Sequence, residues 1–176
     1  MKHRVLIAVA VVAASLAVVA AVAAATLSAT ATVSGTAGVS LNLPAAPAVN
    51  ATLNGADQSI SYAPLLGIVD ARGTGSGWNV TVAATPFTDT ASHTFAAGNV
   101  TSVAQSCASG SSCSAATNSL SYPISLSATA NKVFSAAANT GMGKVQVTPT
   151  IQTTIPGNAY AGSYTSTLTI ATALSP

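Results

Sequence analysis

The stretch GTGSGWNVTVAATPFTDT, residues 73–90, holds the only tryptophan of the 176-residue chain and sets the pattern from which the fold is predicted. From Trp78 to Ala84, large apolar side chains alternate with polar or small ones. A period of two places successive side chains on opposite faces, so this segment is predicted to be a strand with one buried face. The inward face would hold Trp78, Val80, Val82 and Ala84, and the outward face Asn79, Thr81 and Ala83.

Trp78 has two interpretations on this pattern. As the inward residue of a sandwich strand it would anchor the core, with its indole N–H bonded to a backbone acceptor. At an exposed strand start it would instead stack on a sugar ring. The preceding GTGSG segment, residues 73–77, has glycines that permit a tight turn but lacks the spacing of a phosphate-binding loop. We predict that it is a hairpin connection.

Similar segments, separated by Gly and Pro turns, continue along the chain. They are VSLNLP, SISYAPLLGIVD (broken at Pro64), HTFAAGNVTSV, YPISLSATA, KVFSAA, KVQVTPTIQTTIP and YAGSYTSTLTIAT. In the last of these, Tyr164, Ser166, Leu168 and Ile170 lie opposite threonines. Roughly eight to ten short strands, with no helical stripe after the N-terminal segment, predict an all-β, immunoglobulin-like antiparallel β-sandwich.

The N-terminal segment has the pattern of an export signal. Lys2, His3 and Arg4 precede an almost wholly apolar run from Val5 to Ala25, and A-x-A cleavage sites end at Ala25 or Ala31. We therefore predict a signal peptide over residues 1–31, helical in form, and a domain over residues 32–176. The run is also long enough to span a bilayer, so an uncleaved anchor is the alternative. Residues 26–38 are rich in Ser, Thr and Ala and are interpreted as a mobile arm or a weak first strand.

Without the leader, the charges of the chain balance. The remaining charged side chains are Arg72, Lys132, Lys144, Asp57, Asp70 and Asp89, so the formal net charge is three minus three, or zero. A neutral domain has no electrostatic basis for binding nucleic acid or anionic lipid. We predict no nucleic-acid partner, and membrane contact only through an uncleaved N-terminal segment.

No residue pattern points to catalysis, a metal or a cofactor. The three aspartates are spread along the chain and there is no glutamate, so a catalytic carboxylate pair is not indicated. No G-x-S-x-G motif is present, and His93 is the single histidine after the leader. Asp70 and Arg72, two positions apart, share a face if the chain is extended. They are interpreted either as a structural turn or ion pair, or as a pair that hydrogen-bonds a saccharide.

The two cysteines, Cys107 and Cys113 in CASGSSC, form an even, closely spaced pair. In an exported chain this spacing predicts a disulfide. A metal site is the alternative, but it would need further soft ligands, and His93 alone remains to supply one.

Several segments in order resemble the WxL-domain surface proteins of Gram-positive bacteria, particularly the WxL-like proteins of actinobacteria. The resemblance is carried by VSLNLPAA, LLGIVDARGTGSGWNVTVAATPFT, AAGNVT, SLSATANKVFSAAANTG and PTIQTTIPGNAYAGSYTSTLTIA, spanning roughly residues 39–173. It implies a β-rich domain that attaches non-covalently to the cell wall, with peptidoglycan as ligand. It also implies that Trp78, Asn79 and Val80 carry the Trp-x-Leu-type motif, with Val in the Leu place. A second tryptophan motif is expected just before Pro149, and Val147 occupies that position here.

These observations together predict a secreted, wall-associated protein without catalytic activity, whose partners are peptidoglycan or other surface proteins. The alternative from a different class is a self-assembling subunit of an extracellular filament, in which the arm of residues 26–38 adds a strand to a neighbour.

Overall fold

The structure is a computed structural model that describes residues 31–174. The predicted signal peptide, residues 1–31, and its alternative as an anchor lie outside that range apart from Ala31, so both stay predictions. From Val33 onward the chain forms one compact unit. Between residues 31 and 174, no helix is long and apolar enough to cross a membrane.

All regular elements of the described residues are β-strands. They are β1 (Val39–Asn42), β2 (Gln58–Tyr62), β3 (Leu66–Asp70), β4 (Trp78–Ala84), β5 (Phe87–Thr88), β6 (Thr94–Phe95), β7 (Asn99–Cys107), β8 (Ile124–Ser125), β9 (Asn131–Ala136), β10 (Gly143–Ile155) and β11 (Leu168–Ala173). The prediction of eight to ten strands falls short for two reasons: β5 was not predicted, and HTFAAGNVTSV, predicted as a single strand segment, contains both β6 and β7.

The larger sheet is built around β10, its longest strand. One side of β10 pairs antiparallel with β7, and the other side pairs with β3 and then β2. Pro64 separates β2 from β3, as the sequence predicts. The strand order is β1-β3-β10-β7-β8, with β2 beside the C-terminal half of β10.

A second sheet, β11-β4-β9, and a short hairpin, β5-β6, complete the fold. Apolar side chains from both larger sheets form one buried cluster, which makes the domain a sandwich of antiparallel strands, as predicted. The fully buried members are Leu66, Ile68, Val100, Val145, Val147 and Ile151 from the larger sheet and Trp78, Val80, Val82, Val133, Phe134 and Ala136 from the smaller one.

The hairpin predicted for residues 73–77 is wrong. β3, which precedes it, belongs to the larger sheet, and β4, which follows it, belongs to the smaller one, so the segment crosses between sheets. A local pattern of glycines cannot distinguish these two connections. Gly77 has φ 73°, and a Cβ there would lie 2.5 Å from the Ala136 carbonyl oxygen, so the crossing requires glycine.

The predicted alternation is confirmed around β11 and, except at Asn79, in β4. Asn79 was predicted to face outward but is only 6% exposed. Trp78, Val80 and Val82 are each 0% exposed, while Thr81 between them is half-buried. Near the C-terminus the residues from Tyr164 to Ile170 alternate between half-buried and exposed, as predicted. Regular strand pairing there begins only at Leu168, because the preceding residues cross to the β5-β6 hairpin and bridge Thr88.

Candidate functional site

Trp78 lies inside the sandwich. Its indole N–H donates a hydrogen bond to the Gly141 carbonyl oxygen at 2.9 Å, and its ring centroid is 5.6 Å from that of Phe134. Burial of the whole ring with its one polar atom bonded is the arrangement expected of a core anchor. The core interpretation of Trp78 is therefore confirmed, and no face of its ring is open to a sugar.

The neighbouring residues of the proposed motif are also internal. Asn79 and Val80 are 6% and 0% exposed, and Val147, on β10 of the facing sheet, is 1% exposed. Their assignment to the family motif stays a prediction. Because all of them are buried, any part they play in binding has to act through the shape of the fold rather than through direct contact.

Asp70 and Arg72 form a buried ion pair. Arg72 Nε donates to Asp70 Oδ1 at 2.8 Å and Arg72 Nη2 to Asp70 Oδ2 at 2.9 Å, with the two side chains 7% and 1% exposed. Arg72 Nη2 also donates to the Gly77 carbonyl oxygen at 2.7 Å, which closes the 70–77 turn. The hydrogen bonds from Arg72 hold the pKa of the Asp70 carboxyl below its usual range. This geometry agrees with the structural interpretation and leaves little side-chain surface for a saccharide.

The predicted disulfide is present. Cys107, the last residue of β7, is bonded to Cys113 with their Cα atoms 5.5 Å apart, so neither thiolate is available to a metal. The loop is further held by Gln105, whose side-chain amide bonds both the N–H and the carbonyl of Ala116. Elsewhere in residues 31–174, no three His, Cys, Asp or Glu side chains converge as a metal site would require.

A groove of about 980 Å³ opens at one edge of the sandwich. Its walls are the 43–53 segment, Ile60 and Tyr62 of β2, the β5-β6 hairpin, residues 160–166, and Leu168 and Ile170 of β11. Among the described residues, no charged side chain lines the groove. Ligand sites are generally concave and mostly apolar, with a few polar groups, and this groove has that character.

Tyr62 supplies an unusual polar group to this groove. The residue is 9% exposed, and its hydroxyl oxygen is buried without a hydrogen-bond partner among residues 31–174. Burial raises the pKa of this hydroxyl, so it stays neutral. Burying a hydroxyl without a hydrogen-bond partner raises the free energy of the folded domain. A ligand that forms a hydrogen bond with this hydroxyl would regain that free energy on binding.

A second feature, which we call the aromatic shelf, consists of Tyr160, His93 and Tyr164. The Tyr160 ring is 64% exposed and stacks on His93 at a centroid distance of 3.9 Å, while the Tyr164 hydroxyl donates to the Tyr160 carbonyl oxygen at 3.0 Å. His93 Nδ1 lies 2.7 Å from Asp89 Oδ2, and this hydrogen bond lowers the pKa of the Asp89 carboxyl. A small cavity of about 210 Å³ opens beside the shelf.

His93 lies in the loop that precedes β6, and no partner was predicted for it from the sequence. His93 is paired with Asp89 and stacked on Tyr160, and Asp89 Oδ1 also accepts the backbone N–H groups of Ala91 and His93. The Asp-x-x-x-His spacing around turn residues was the available signal, since an aspartate commonly bonds backbone N–H groups two or more positions on. The stacking on Tyr160 joins residues 67 positions apart (160 minus 93) and has no local signature.

Comparison with known proteins gives one family. The sequence model of the family described as "WxL domain surface cell wall-binding" matches residues 35–171. No curated protein and no solved structure matches the chain.

Proposed function

The chain belongs to the WxL family of surface, cell-wall-binding domains, and on this premise we propose that it is an exported, non-catalytic protein held non-covalently on peptidoglycan. Its place at the cell surface in association with the wall follows from the family match. The match over residues 35–171 is also the observation that carries the proposal, because it covers the sandwich from β1 into β11.

The balance of charge supports attachment through uncharged contacts. After removal of the leader the formal net charge is zero, and Asp70 and Arg72 already neutralise each other inside the domain. Long-range attraction to anionic wall polymers is therefore weak. Attachment then depends on apolar and hydrogen-bonding contacts, which salt screens little.

The aromatic shelf is the surface best suited to a wall glycan. The face of an aromatic ring carries partial negative charge, and the C–H groups of a sugar ring are weakly positive, so the two stack. Tyr160 offers such a face, 64% exposed and held by His93 behind it, so little side-chain freedom is lost on binding. Trp78, by contrast, is fully buried and cannot do this.

Binding to purified cell walls tests the proposal. We expect the exported protein to be retained on peptidoglycan-containing walls and not on cellulose, and Tyr160→Ala to weaken retention while leaving the fold intact. Leu65→Ala, which removes an exposed apolar side chain (46% exposed) outside the shelf, is the matched control and should bind like the unaltered protein. Equal loss in both variants would contradict the shelf, and no retention of the unaltered protein would contradict wall binding itself.

The second candidate function, self-assembly through the N-terminal arm, is supported by the uncharged groove beside β2. Tyr160 and Tyr164 of the shelf also line this groove, so an arm bound there would lie beside the face proposed for a glycan.

A further inference from the structure

The outer edge of β2 has no strand beside it within residues 31–174. β2 pairs only with β10, whereas β3, the strand next to it along the same edge of β10, is covered by β1. Unpaired edges of this kind present free N–H and C=O groups and are templates for an added strand. Ile60 and Tyr62 of β2 line the groove, so a strand added at this edge would run along it.

The groove wall opposite β2 is an incompletely covered part of the core. Leu168 and Ile170 of β11 are only half-buried, and β11 is itself the edge of its sheet. The chain between Leu43 and Ala51, which also lines the groove, makes no hydrogen bond to any other described residue. The groove therefore has apolar surface on both sides and a flank that is not fixed by backbone pairing.

The N-terminal arm has the pattern of a strand that would fill such a groove. Between residues 27 and 34 apolar side chains alternate with hydroxyl side chains, and none is charged. The apolar set is Leu27, Ala29, Ala31 and Val33, and the hydroxyl set is Ser28, Thr30, Thr32 and Ser34. Val33 is 92% exposed, so within the described part of the arm this apolar face is not covered by its own domain.

The arm leaves the domain at the end opposite the groove. The Thr36 N–H donates to the Ala71 carbonyl oxygen at 2.9 Å, and β1 then carries the chain to Leu43, where the groove begins. A donor at one end and an acceptor at the other give a head-to-tail contact, and such contacts repeat into open chains of subunits.

We propose that residues 27–34 of one copy bind as an added strand in the groove beside β2 of a second copy, so that the protein assembles head to tail. The apolar face of the arm covers Ile60, Leu168 and Ile170, and the arm supplies a carbonyl or hydroxyl oxygen to the unpartnered hydroxyl of Tyr62. Backbone bonds to the β2 edge provide affinity and the alternating side chains provide register. Cleavage of the leader after Ala25 leaves the whole arm in the mature protein, whereas cleavage after Ala31 removes most of it.

A pair of arm substitutions tests the donor side. In protein that begins at Thr26, analysed by sedimentation velocity over a range of concentrations, we expect species larger than a dimer. Val33→Asp places a charge on the apolar face and should weaken association at least about tenfold, because an unpaired charge is costly in an uncharged groove. Ser34→Asp, on the other face, is the matched control and should assemble normally. A monomer at all concentrations, or equal assembly of both variants, overturns the proposal.

Substitutions in β2 test the acceptor side. Ile60→Asp should abolish assembly, while Ser59→Asp, whose side chain is exposed, should not. Thermal unfolding of Ile60→Asp shows whether the variant is folded, and so distinguishes a blocked groove from a failed fold.

Mixing the two variants tests the pairing of arm and groove. Val33→Asp keeps an intact groove and Ile60→Asp keeps an intact arm, so a mixture of the two proteins should form a dimer and nothing larger. A synthetic peptide of residues 26–36 should occupy the groove and stop the assembly of the unaltered protein. If Val33→Asp instead lowers the melting temperature of a monomer, the arm occupies its own groove and exchange is wrong. Val33→Asp leaves every groove residue unaltered and should still bind walls, so the loss of assembly is distinguishable from the loss of wall attachment.

Discussion

Trp78 donates its indole N–H to the carbonyl oxygen of Gly141, which lies 63 residues further along the chain. Gly141 belongs to the connection between β9 of the smaller sheet and β10 of the larger one, and its own N–H donates to the Ser114 carbonyl oxygen at 3.0 Å. Through these two hydrogen bonds Gly141 links the central tryptophan, the β9–β10 connection and the chain just after the disulfide.

Gly141→Ala should destabilise the domain more than Gly110→Ala does. Both glycines have a positive φ, 70° and 71°, so alanine carries the same backbone strain at either position. At Gly141 the added Cβ would also lie 2.7 Å from the Ala136 Cβ and 2.9 Å from Trp78 Nε1, whereas at Gly110 it meets nothing within 4 Å. We expect a difference of about 1–3 kcal/mol in the free energy of unfolding, measured by urea denaturation. Equal losses would show that the Trp78 contact can move to accommodate the methyl group.

Asp70→Asn should destabilise the domain by about 3 kcal/mol, because it leaves the Arg72 guanidinium buried without its carboxylate. Asp57→Asn is the comparison, since the Asp57 side chain is on an exposed residue and accepts a single hydrogen bond, from the Gly157 N–H. Denaturation at neutral pH measures both. A loss no larger than that of Asp57→Asn would mean that the pair contributes little to the fold.

The ion pair of Asp70 and Arg72 makes the free energy of unfolding depend on pH in the acid range. The pKa of Asp70 is lower in the folded protein than in the unfolded chain, so its contribution is fully present above the unfolded value of about 3.9. That contribution is lost as the pH falls through the folded pKa, because the protonated carboxyl no longer pairs with Arg72. Unfolding free energies measured from about pH 6 down to about pH 2 should fall less steeply for Asp70→Asn than for the unaltered protein. Parallel curves for the two proteins would contradict this.

Replacing both cysteines by serine should lower the free energy of unfolding by about 2 kcal/mol, since the closed loop is short. The fold should survive, because Gln105 still holds Ala116 from β7 through its side-chain amide. Thermal unfolding of the double variant, compared with that of the unaltered protein without reductant, measures the effect. Thiols that react with an alkylating reagent before reduction would show that the bond does not form in the exported protein.

The strands of this domain could be predicted where side-chain alternation is strong. The pattern around Trp78 gave the strand and its buried face, and Pro64 marked the break between β2 and β3 because proline cannot donate to a ladder. Pro149 was correctly kept inside a strand. It lies between the part of β10 that pairs with β3, which ends at Val147, and the part that pairs with β2, which begins at Ile151.

The parts that were not predicted depend on contacts distant in sequence. Whether residues 73–77 join neighbouring strands or cross between sheets depends on which sheet β4 belongs to. No residue in that segment indicates the sheet to which β4 belongs. The aromatic shelf likewise arises when the 156–164 loop brings Tyr160 onto His93. Within residues 31–174 no strand pairs with the outer edge of β2, and an unpaired strand edge leaves no pattern in the sequence.

The central claim is that a neutral exported domain binds the cell wall through uncharged contacts. Co-sedimentation with purified peptidoglycan at two salt concentrations tests it most directly. At about 0.5 M salt the Debye length is only about 4 Å, so ion pairs between exposed groups are screened. The account predicts that the bound fraction at about 0.05 M salt is retained at about 0.5 M, and that Tyr160→Ala lowers it at both. Release of the protein at the higher salt, or no binding at either, would contradict the account.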